Sequence, residues 1–146
     1  MDKEVKKKIA KNWFKILQNI ICFEVERLEN SPAKFISRKW EKNPKKNEGG
    51  GEYRILKNGK IFEKVGVNFS EVSGKFSKDI RKKIPGTKKN GNFWASGISI
   101  VMHMQNPHIP AMHFNTRYIY TSHGLFGDGM DITPCIKDNF LKKWFH

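Results

Sequence analysis

The dipeptide Asn58-Gly59 constrains the fold of this chain more than any other short segment. It lies between two apolar runs, and asparagine followed by glycine favours a two-residue type I′ turn, because both central positions need a positive φ. The sequence therefore predicts a β-hairpin with strands over residues 52–57 and 60–69. From Val65 to Ser70 the second run continues with a glycine and small polar residues, which simple alternation rules leave unassigned.

Two further strands are predicted over 93–104 and 111–121. The segment between them contains Pro107 and Pro110, which exclude a helix there. Side chains alternate between the two faces of a strand. The second strand therefore divides into an aromatic face with Met112, Phe114, Thr116, Tyr118 and Tyr120, and a face with His113, Asn115, Arg117 and Ile119.

Three hydrogen-bonding side chains in a row on one strand face need partners, because an unpaired buried polar group costs about 1–3 kcal/mol. A ligand is one such partner. By the same alternation Ser99 and His103 share a face, and so do Asp131 and Thr133. Simpler explanations stay open at this point: satisfied histidines in a half-buried sheet, or an ion pair between Arg117 and Asp131.

Residues 2–29 are predicted to form one amphipathic helix, which Asn30-Ser31-Pro32 ends. Its predicted apolar stripe packs on the sheet and consists of Val5, Ile9, Trp13, Ile16, Leu17, Ile20, Val25 and Leu28. A loop over 39–51 with the glycine triplet 49–51, and a lysine-rich connection over 74–92, complete the expected organisation. The fold class is α+β, with an antiparallel sheet flanked by helices in a single domain over 1–146.

The formal net charge is +14, from 28 Lys and Arg against 14 Asp and Glu. Such an excess favours a polyanionic partner: nucleic acid, an anionic membrane surface or a small acid with several carboxylates. The chain has two cysteines and no apolar run of bilayer-spanning length, which is typical of a cytoplasmic protein without stable membrane insertion. No phosphate-binding loop or nucleophile motif is present in the sequence.

Three segments carry a more specific signal: GGGEYRILKNGKIFEKVGVNFSEVSG, SGISIVMHMQNPHIPAMHFNTRY and FGDGMDITP. In this order and spacing they resemble the oxygen-dependent coproporphyrinogen III oxidases, over residues 39–134. The resemblance implies a large antiparallel sheet flanked by helices, usually in a homodimer. It also implies oxidative decarboxylation of two propionates of coproporphyrinogen III, which gives protoporphyrinogen IX in haem biosynthesis. The implied oxidant is O2, with no organic cofactor.

The same resemblance assigns roles to individual residues. His113, Asp131 and Arg117 match catalytic positions: a proton donor, an acceptor for the pyrrole N–H groups and a guanidinium that grips a propionate. Ser99, Asn115 and Thr116 match substrate-binding positions together with Arg117. A divalent metal described for some bacterial members would have His103 and His113 as ligands, and the other two family histidines lie downstream of the matched part.

Family enzymes are about twice as long, so the chain resembles an N-terminal half with a divergent tail over 135–146. Asp128 stands within a run that is usually glycine, and Leu125 where an aromatic residue is expected. An extra carboxylate three residues from Asp131 is expected to repel an acidic substrate. Two alternative functions remain: a non-catalytic porphyrin-binding remnant, and a basic module that binds nucleic acid without a recognisable RNA-binding signature.

Overall fold

The computed structural model of the protein describes residues 1–87 and 90–136. In this part of the chain a long helix, α1 (Lys3–Glu29), precedes six strands. The strands are β1 (Ile36–Glu41), β2 (Gly49–Lys57), β3 (Phe62–Lys75), β4 (Asn92–Met104), β5 (Ala111–Tyr120) and β6 (Gly124–Thr133). A 3-10 turn (Pro44–Lys46) lies between β1 and β2, and the short helix α2 (Lys78–Arg81) between β3 and β4.

All six strands form one antiparallel sheet in which the spatial order from β1 to β6 is the same as the chain order. Helix α1 packs on this sheet across β3 and β4. The α+β prediction is therefore confirmed. We call the side of the sheet that α1 covers the α1 face and the other side the open face. Among helices of the described ranges, none has the length and hydropathy that crossing a bilayer requires.

The core lies between α1 and the sheet. Val65, Val67 and Phe69 of β3 are buried there against Phe14 and Cys22 of α1, with Ile98 and Ile100 of β4 alongside. Gly66, Asn68 and Ser70 alternate with these residues and point to the open face. The segment that simple rules left unassigned is thus an ordinary alternating strand whose outward positions carry only small side chains.

The structure confirms the two central strands almost to the residue. It contradicts the loop predicted over 39–51, because β1 extends to Glu41 and the glycine triplet begins β2. Glycine is required there: a Cβ on Gly50 or Gly51 would collide with the backbone of the neighbouring strand. β1 is an edge strand whose side chains are almost all exposed, so its sequence lacks the apolar alternation that identifies a half-buried strand.

The predicted packing face of α1 is wrong in most of its residues: Val5, Ile9, Trp13, Ile16 and Ile20 are all about half exposed or more. Only Leu17 and Val25 of the predicted stripe pack against the core. The buried side of the helix is a largely different stripe, listed here: Ala10, Phe14, Gln18, Cys22, Val25 and Glu29. The helix has apolar residues on two opposite sides. Polar side chains on the buried side, which we call anchors, form hydrogen bonds to the sheet and determine which side packs against it.

One of those anchors is Gln18, whose Nε2 donates to the carbonyl oxygens of Glu52 (2.9 Å) and Val67 (3.0 Å).

The helix begins after Asp2, whose Oδ1 accepts the N–H of Glu4 (2.6 Å). Asn30 ends it in the left-handed conformation (φ 45°), with its N–H donating to the carbonyl oxygen of Glu26.

Glu29 also explains why the hairpin turn is longer than predicted. The loop between β2 and β3 has four residues, 58–61, instead of the two-residue type I′ turn. The Glu29 carboxylate is fully buried and accepts the backbone N–H groups of Lys60, Ile61 and Phe62. The last residue of α1 therefore opens the turn by binding its donors, an effect that no local sequence rule contains.

Candidate functional site

The strand register brings the predicted site residues together on the open face. On β5, His113 lies opposite Asp131 of β6, and Asn115 lies opposite Ser99 of β4. Arg117 follows two residues further along the same strand face. Because these positions differ by even numbers along β5 and face cross-strand partners, their side chains leave the sheet on one side. His103, opposite Lys64 of β3, also lies on this side, so the structure gathers six of the predicted residues on one surface.

His113 and Asp131 are neighbouring polar groups on this surface. His113 Nδ1 lies 3.6 Å from Asp131 Oδ2, and both side chains are about half exposed or more (47% and 66%). Thr133 Oγ1 donates to the same carboxylate oxygen at 2.7 Å. The hydroxyl therefore holds the carboxylate in orientation beside the imidazole, while both groups stay accessible to a ligand.

Arg117 lies on a part of the sheet that is poor in side chains. Its cross-strand partners are Gly97 on β4 and Gly127 on β6. A Cβ at Gly97 would come within 2.7 Å of the Arg117 Cβ, whereas a Cβ at Gly127 would meet nothing within 4 Å. Glycine at 97 makes room for the arginine itself, and glycine at 127 leaves open space beside it.

A polar row crosses the whole sheet, although only its β4–β5 part was predicted. Its successive cross-strand partners are Arg38, Tyr53, Asn68, Ser99, Asn115 and Gly129. Trp40 Nε1 donates to Asn68 Oδ1 at 2.9 Å, and Asn115 Nδ2 donates to the carbonyl oxygen of Gly129 at 3.4 Å. The sequence signal for Asn68 was the run of small polar residues that alternate with apolar ones after Gly66. No sequence signal pointed to Trp40.

Two residues point away from this surface. Thr116 pairs with Ile98 and Asp128 on the α1 face, as strand alternation predicts for its side chain. Asp128 is therefore on the opposite side of the sheet from Asp131, and its expected repulsion of an acidic substrate stays a prediction. The alternative ion pair between Arg117 and Asp131 is wrong, because the described part of the chain pairs Asp131 with His113.

The charge of the open face is strongly unbalanced. By strand register its cations are Arg38, Lys57, Lys64 and Arg117. Among the described strand residues that have a register partner, Asp131 is the only carboxylate on this side. A surface with this composition favours a ligand that carries several negative charges and offers a few N–H donors to one acceptor.

The histidines predicted as metal ligands are neighbours but do not form a metal centre. The ring centroids of His103 and His113 are 6.4 Å apart, with the planes at 69°. Over residues 1–87 and 90–136, no group of three or more His, Cys, Asp or Glu side chains is placed to hold an ion. Two imidazoles are too few donors for a stable site, so the residues present do not fit a metal and we route no chemistry through one.

A cleft of about 610 Å³ lies elsewhere in the molecule. Its walls include Lys15 and Asn19 of α1, Lys39 of β1 and Glu52 of β2, all on the α1 face at the β1 edge of the sheet. None of the predicted site residues lines it. The open face is a better candidate for the functional site, because there the polar side chains converge.

Comparison with known proteins identifies relatives of this chain. The family model described as coproporphyrinogen III oxidase matches residues 9–146, which is further at both ends than the segment 39–134. Part of this match, over 137–146, lies outside the described residues, as does most of the tail predicted to diverge.

Curated relatives with the name oxygen-dependent coproporphyrinogen-III oxidase give the same result. The protein from Rickettsia felis is 48% identical over 149 residues, which cover 96% of this chain and 52% of the relative. Those from Rickettsia akari and Rickettsia africae are 45% and 47% identical over 148 residues, with the same coverage. The chain spans about half the length of these relatives. With the family match covering nearly all of it, the chain belongs to the coproporphyrinogen III oxidase family.

Proposed function

We propose that the open face binds coproporphyrinogen III and takes part in its oxygen-dependent decarboxylation to protoporphyrinogen IX. The observation that carries this proposal is the convergence of His113, Asn115, Arg117 and Asp131 on one exposed surface. Around these groups the surface of the sheet carries little side-chain bulk, because a Cβ on Gly66 or Gly127 would meet only open space. A wide macrocycle fits an open surface of this kind better than it fits a deep pocket.

Each polar group suits one part of such a substrate. The Arg117 guanidinium binds a propionate with two parallel N–H bonds. The Asp131 carboxylate is an acceptor without a donor of its own when ionised, which suits the pyrrole N–H groups at the centre of the ring. Ser99 and Asn115 add hydrogen bonds along the same strand faces, and His113 beside Asp131 is the group that exchanges a proton with the substrate. Thr116 takes part through its backbone.

The reaction itself balances without an organic cofactor. Each propionate loses its carboxylate as CO2, and the neighbouring ring-attached carbon loses a proton while two electrons leave, which forms the vinyl group. O2 accepts the electrons of two such events and, with two protons from solvent besides the two released, becomes water. The protein supplies binding, orientation and proton exchange.

A second candidate is porphyrin binding without turnover. It is favoured by the exposure of the site: His113 and Asp131 are accessible to solvent on a face that no element of the described chain covers. Catalysis by oxidation of a reactive macrocycle benefits from exclusion of water. The two candidates share the site and differ only in whether product forms.

The test begins with a fluorescence titration of the wild type with coproporphyrin III, the stable oxidised form of the substrate. Arg117→Ala should weaken binding about tenfold or more, since it removes a charge-assisted contact worth about 1.5–3 kcal/mol. Arg117→Lys should recover only part of that loss, because a lysine retains the charge but not the two-pronged geometry.

Arg27→Ala is the matched control, because Arg27 lies on α1, on the other side of the sheet, and pairs with Glu24. It should bind coproporphyrin III like the wild type. Equal affinity of the wild type and Arg117→Ala would refute the site. Aerobic incubation with coproporphyrinogen III, followed by chromatography of the porphyrins, then separates turnover from binding alone.

We place this reaction in the cytoplasm, on the argument that neither cysteine of the chain is paired: Cys22 and Cys135 are both free. Cell fractionation with an antibody against the chain checks the location.

A further inference from the structure

Two lysines lie side by side at one end of the open face. Lys57 of β2 and Lys64 of β3 are direct cross-strand partners, and both side chains are exposed. Like charges directly opposite each other in an antiparallel pair are destabilising. Over residues 1–87 and 90–136, neither ammonium group has an ion pair that would relieve this repulsion. The fold therefore holds two unneutralised cations together on this surface.

The hairpin between β2 and β3 fixes the backbone positions of this lysine pair. Asn58, directly after Lys57, has the left-handed conformation (φ 56°), and its N–H donates to the carbonyl oxygen of Glu63 at 2.9 Å. The pairing of β3 with β4 is irregular between Phe62 and Lys64, and from Lys64 onward it is continuous. Paired strands thus hold both lysines in place, while their long side chains can extend over the open face.

Polar groups connect the lysine pair with the proposed substrate site. Lys64 lies opposite His103, and the ring centroid of His103 is 6.4 Å from that of His113, which lies beside Asp131. Gly66, the next residue after Lys64 on the same strand face, has open space where a side chain would be. A ligand centred near Asp131 can therefore extend toward Lys64 without meeting a side chain at Gly66.

The strand register gives approximate distances across this surface. Neighbouring strands are about 4.8 Å apart, and successive residues on one strand face are about 6.7 Å apart. From Asp131, Arg117 is one strand and two such steps away. Lys64 is three strands away and one step in the opposite direction. The Cα separations from Asp131 are therefore about 14 Å for Arg117 and about 16 Å for Lys64, and the two directions make roughly a right angle.

We propose that Lys64, with Lys57 beside it, is a second carboxylate anchor of the open face and binds the propionate next to the one that Arg117 binds. This inference rests on the proposed function, because it takes Asp131 as the position of the ring centre. Propionates on successive pyrroles of the same orientation are also about a right angle apart around a tetrapyrrole. Side chains that extend about 6–7 Å cover the distance to propionates on the order of 8 Å from the ring centre.

The two anchors differ in what they recognise. Arg117 fixes its propionate with two parallel N–H bonds, whereas a lysine ammonium binds a carboxylate as a point charge and tolerates its rotation. A bound carboxylate also relieves the repulsion between Lys57 and Lys64. The open face therefore selects tetrapyrroles that have acidic side chains on neighbouring pyrroles over those with a single one.

The test is a fluorescence titration with coproporphyrin III and with pyrroporphyrin, a porphyrin that has a single propionate. Lys64→Ala should weaken binding of coproporphyrin III about tenfold, because it removes a charge-assisted contact. Pyrroporphyrin should lose less than about twofold, since Arg117 binds its one propionate. Lys64→Arg should keep the affinity for coproporphyrin III within about twofold of the wild type, because the charge remains. Lys64 is exposed, so circular dichroism should show an unchanged fold for both variants.

Lys75→Ala is the matched control, because Lys75 is on the same strand but on the α1 face by register. It removes an equal charge and should bind both porphyrins like the wild type. If Arg117→Ala weakens binding of coproporphyrin III and Lys64→Ala does not, the second anchor is refuted and the proposed function stands. Equal losses for the two porphyrins would also refute it, since Lys64 would then act only through the overall charge.

Two other outcomes have different consequences. A wild type that does not bind coproporphyrin III would overturn both the second anchor and the proposed function. A single-stranded oligonucleotide whose binding depends on Lys64, while the binding of coproporphyrin III does not, would overturn the second anchor and assign the lysine pair to nucleic acid.

Discussion

Glu29 is the residue with the most specific structural role in the chain. Burial by itself raises the pKa of its carboxyl, but the N–H of Phe62, the hydroxyl of Ser31 and the N–H groups of Ile61 and Lys60 outweigh burial and hold the pKa below its ordinary value. An ionised carboxylate that accepts several backbone donors joins the end of α1 to the start of β3. The charge is stabilised by hydrogen bonds and not by a cation.

We predict that Glu29→Gln lowers the free energy of unfolding at neutral pH by about 1.5–3 kcal/mol, because it weakens bonds that depend on the negative charge. Since the folded pKa lies below the unfolded value of about 4.3, the contribution of Glu29 is complete above that pH. It is lost as the pH falls through the folded pKa. Urea unfolding of both proteins should therefore show a gap that narrows on acidification.

Glu24→Gln is the control for this comparison. Glu24 is on the helix surface in an ion pair with Arg27, so its removal should change stability by less than about 1 kcal/mol. A gap between wild type and Glu29→Gln that stays constant down to low pH would contradict the role of the carboxylate charge.

At the site, the sequence predicted the residues that depend on one strand alone. Alternation along β5 was enough to put His113, Asn115 and Arg117 on one face. Asn68 joins the polar row only through the register between β3 and β4. Trp40, which donates to Asn68, lies on an edge strand that has no sequence signature. Local sequence patterns therefore could not predict which residues of neighbouring strands lie side by side, because the register is a property of the whole sheet.

At the scale of elements, the contact between α1 and the β2–β3 turn depends on Gly59. A Cβ there would lie 2.5 Å from the carboxyl carbon of Glu29. We predict that Gly59→Ala destabilises the protein by about 1–3 kcal/mol through this collision. In a Glu29→Ala background the penalty should largely disappear, because the two sites are directly coupled. Urea unfolding of the four proteins gives the coupling energy.

Gly66→Ala is the matched control, since a Cβ at Gly66 would meet nothing within 4 Å. Its stability should stay within about 1 kcal/mol of the wild type. Additive losses for Gly59→Ala and Glu29→Ala would contradict the contact between helix and turn.

Elements were predicted well where one pattern dominated. Prolines between β4 and β5 fixed both strand ends, and the helix was found to within a residue at its start. The orientation of α1 was not predictable from periodicity, because both of its sides are apolar. Gln18 and Glu29 decide it by bonding strand and turn backbone, and their partners are about thirty residues away along the chain.

At the scale of the whole molecule, Cys22 reports the integrity of the core. Burial, partly offset by Arg54, raises the pKa of its thiol to about 11. Cys135 is exposed. We predict that iodoacetamide at about pH 8 modifies Cys135 and leaves Cys22 intact, because alkylation needs the thiolate. In urea above the unfolding midpoint both should react, as mass spectrometry of the intact chain can show.

Labelling of Cys22 as fast as Cys135 in native buffer would mean that α1 does not stay packed on the sheet. The comparison uses two thiols of the same chain, so it needs no separate control protein.

The nucleic-acid alternative also belongs at the scale of the whole molecule. It predicts that the chain binds oligonucleotides in a salt-sensitive way, and that this binding depends on the lysine runs and not on Arg117.

The identity between strand order and chain order has a consequence for synthesis on the ribosome. Each new strand can pair with its predecessor as soon as it emerges, so the sheet can grow by successive addition from β1. Helix α1 emerges before the strands but needs β3 and β4, so it remains without its tertiary partner until about residue 104 has left the exit tunnel. During that interval both sides of the helix are uncovered, and the nascent chain is then most exposed to chaperones and to premature aggregation.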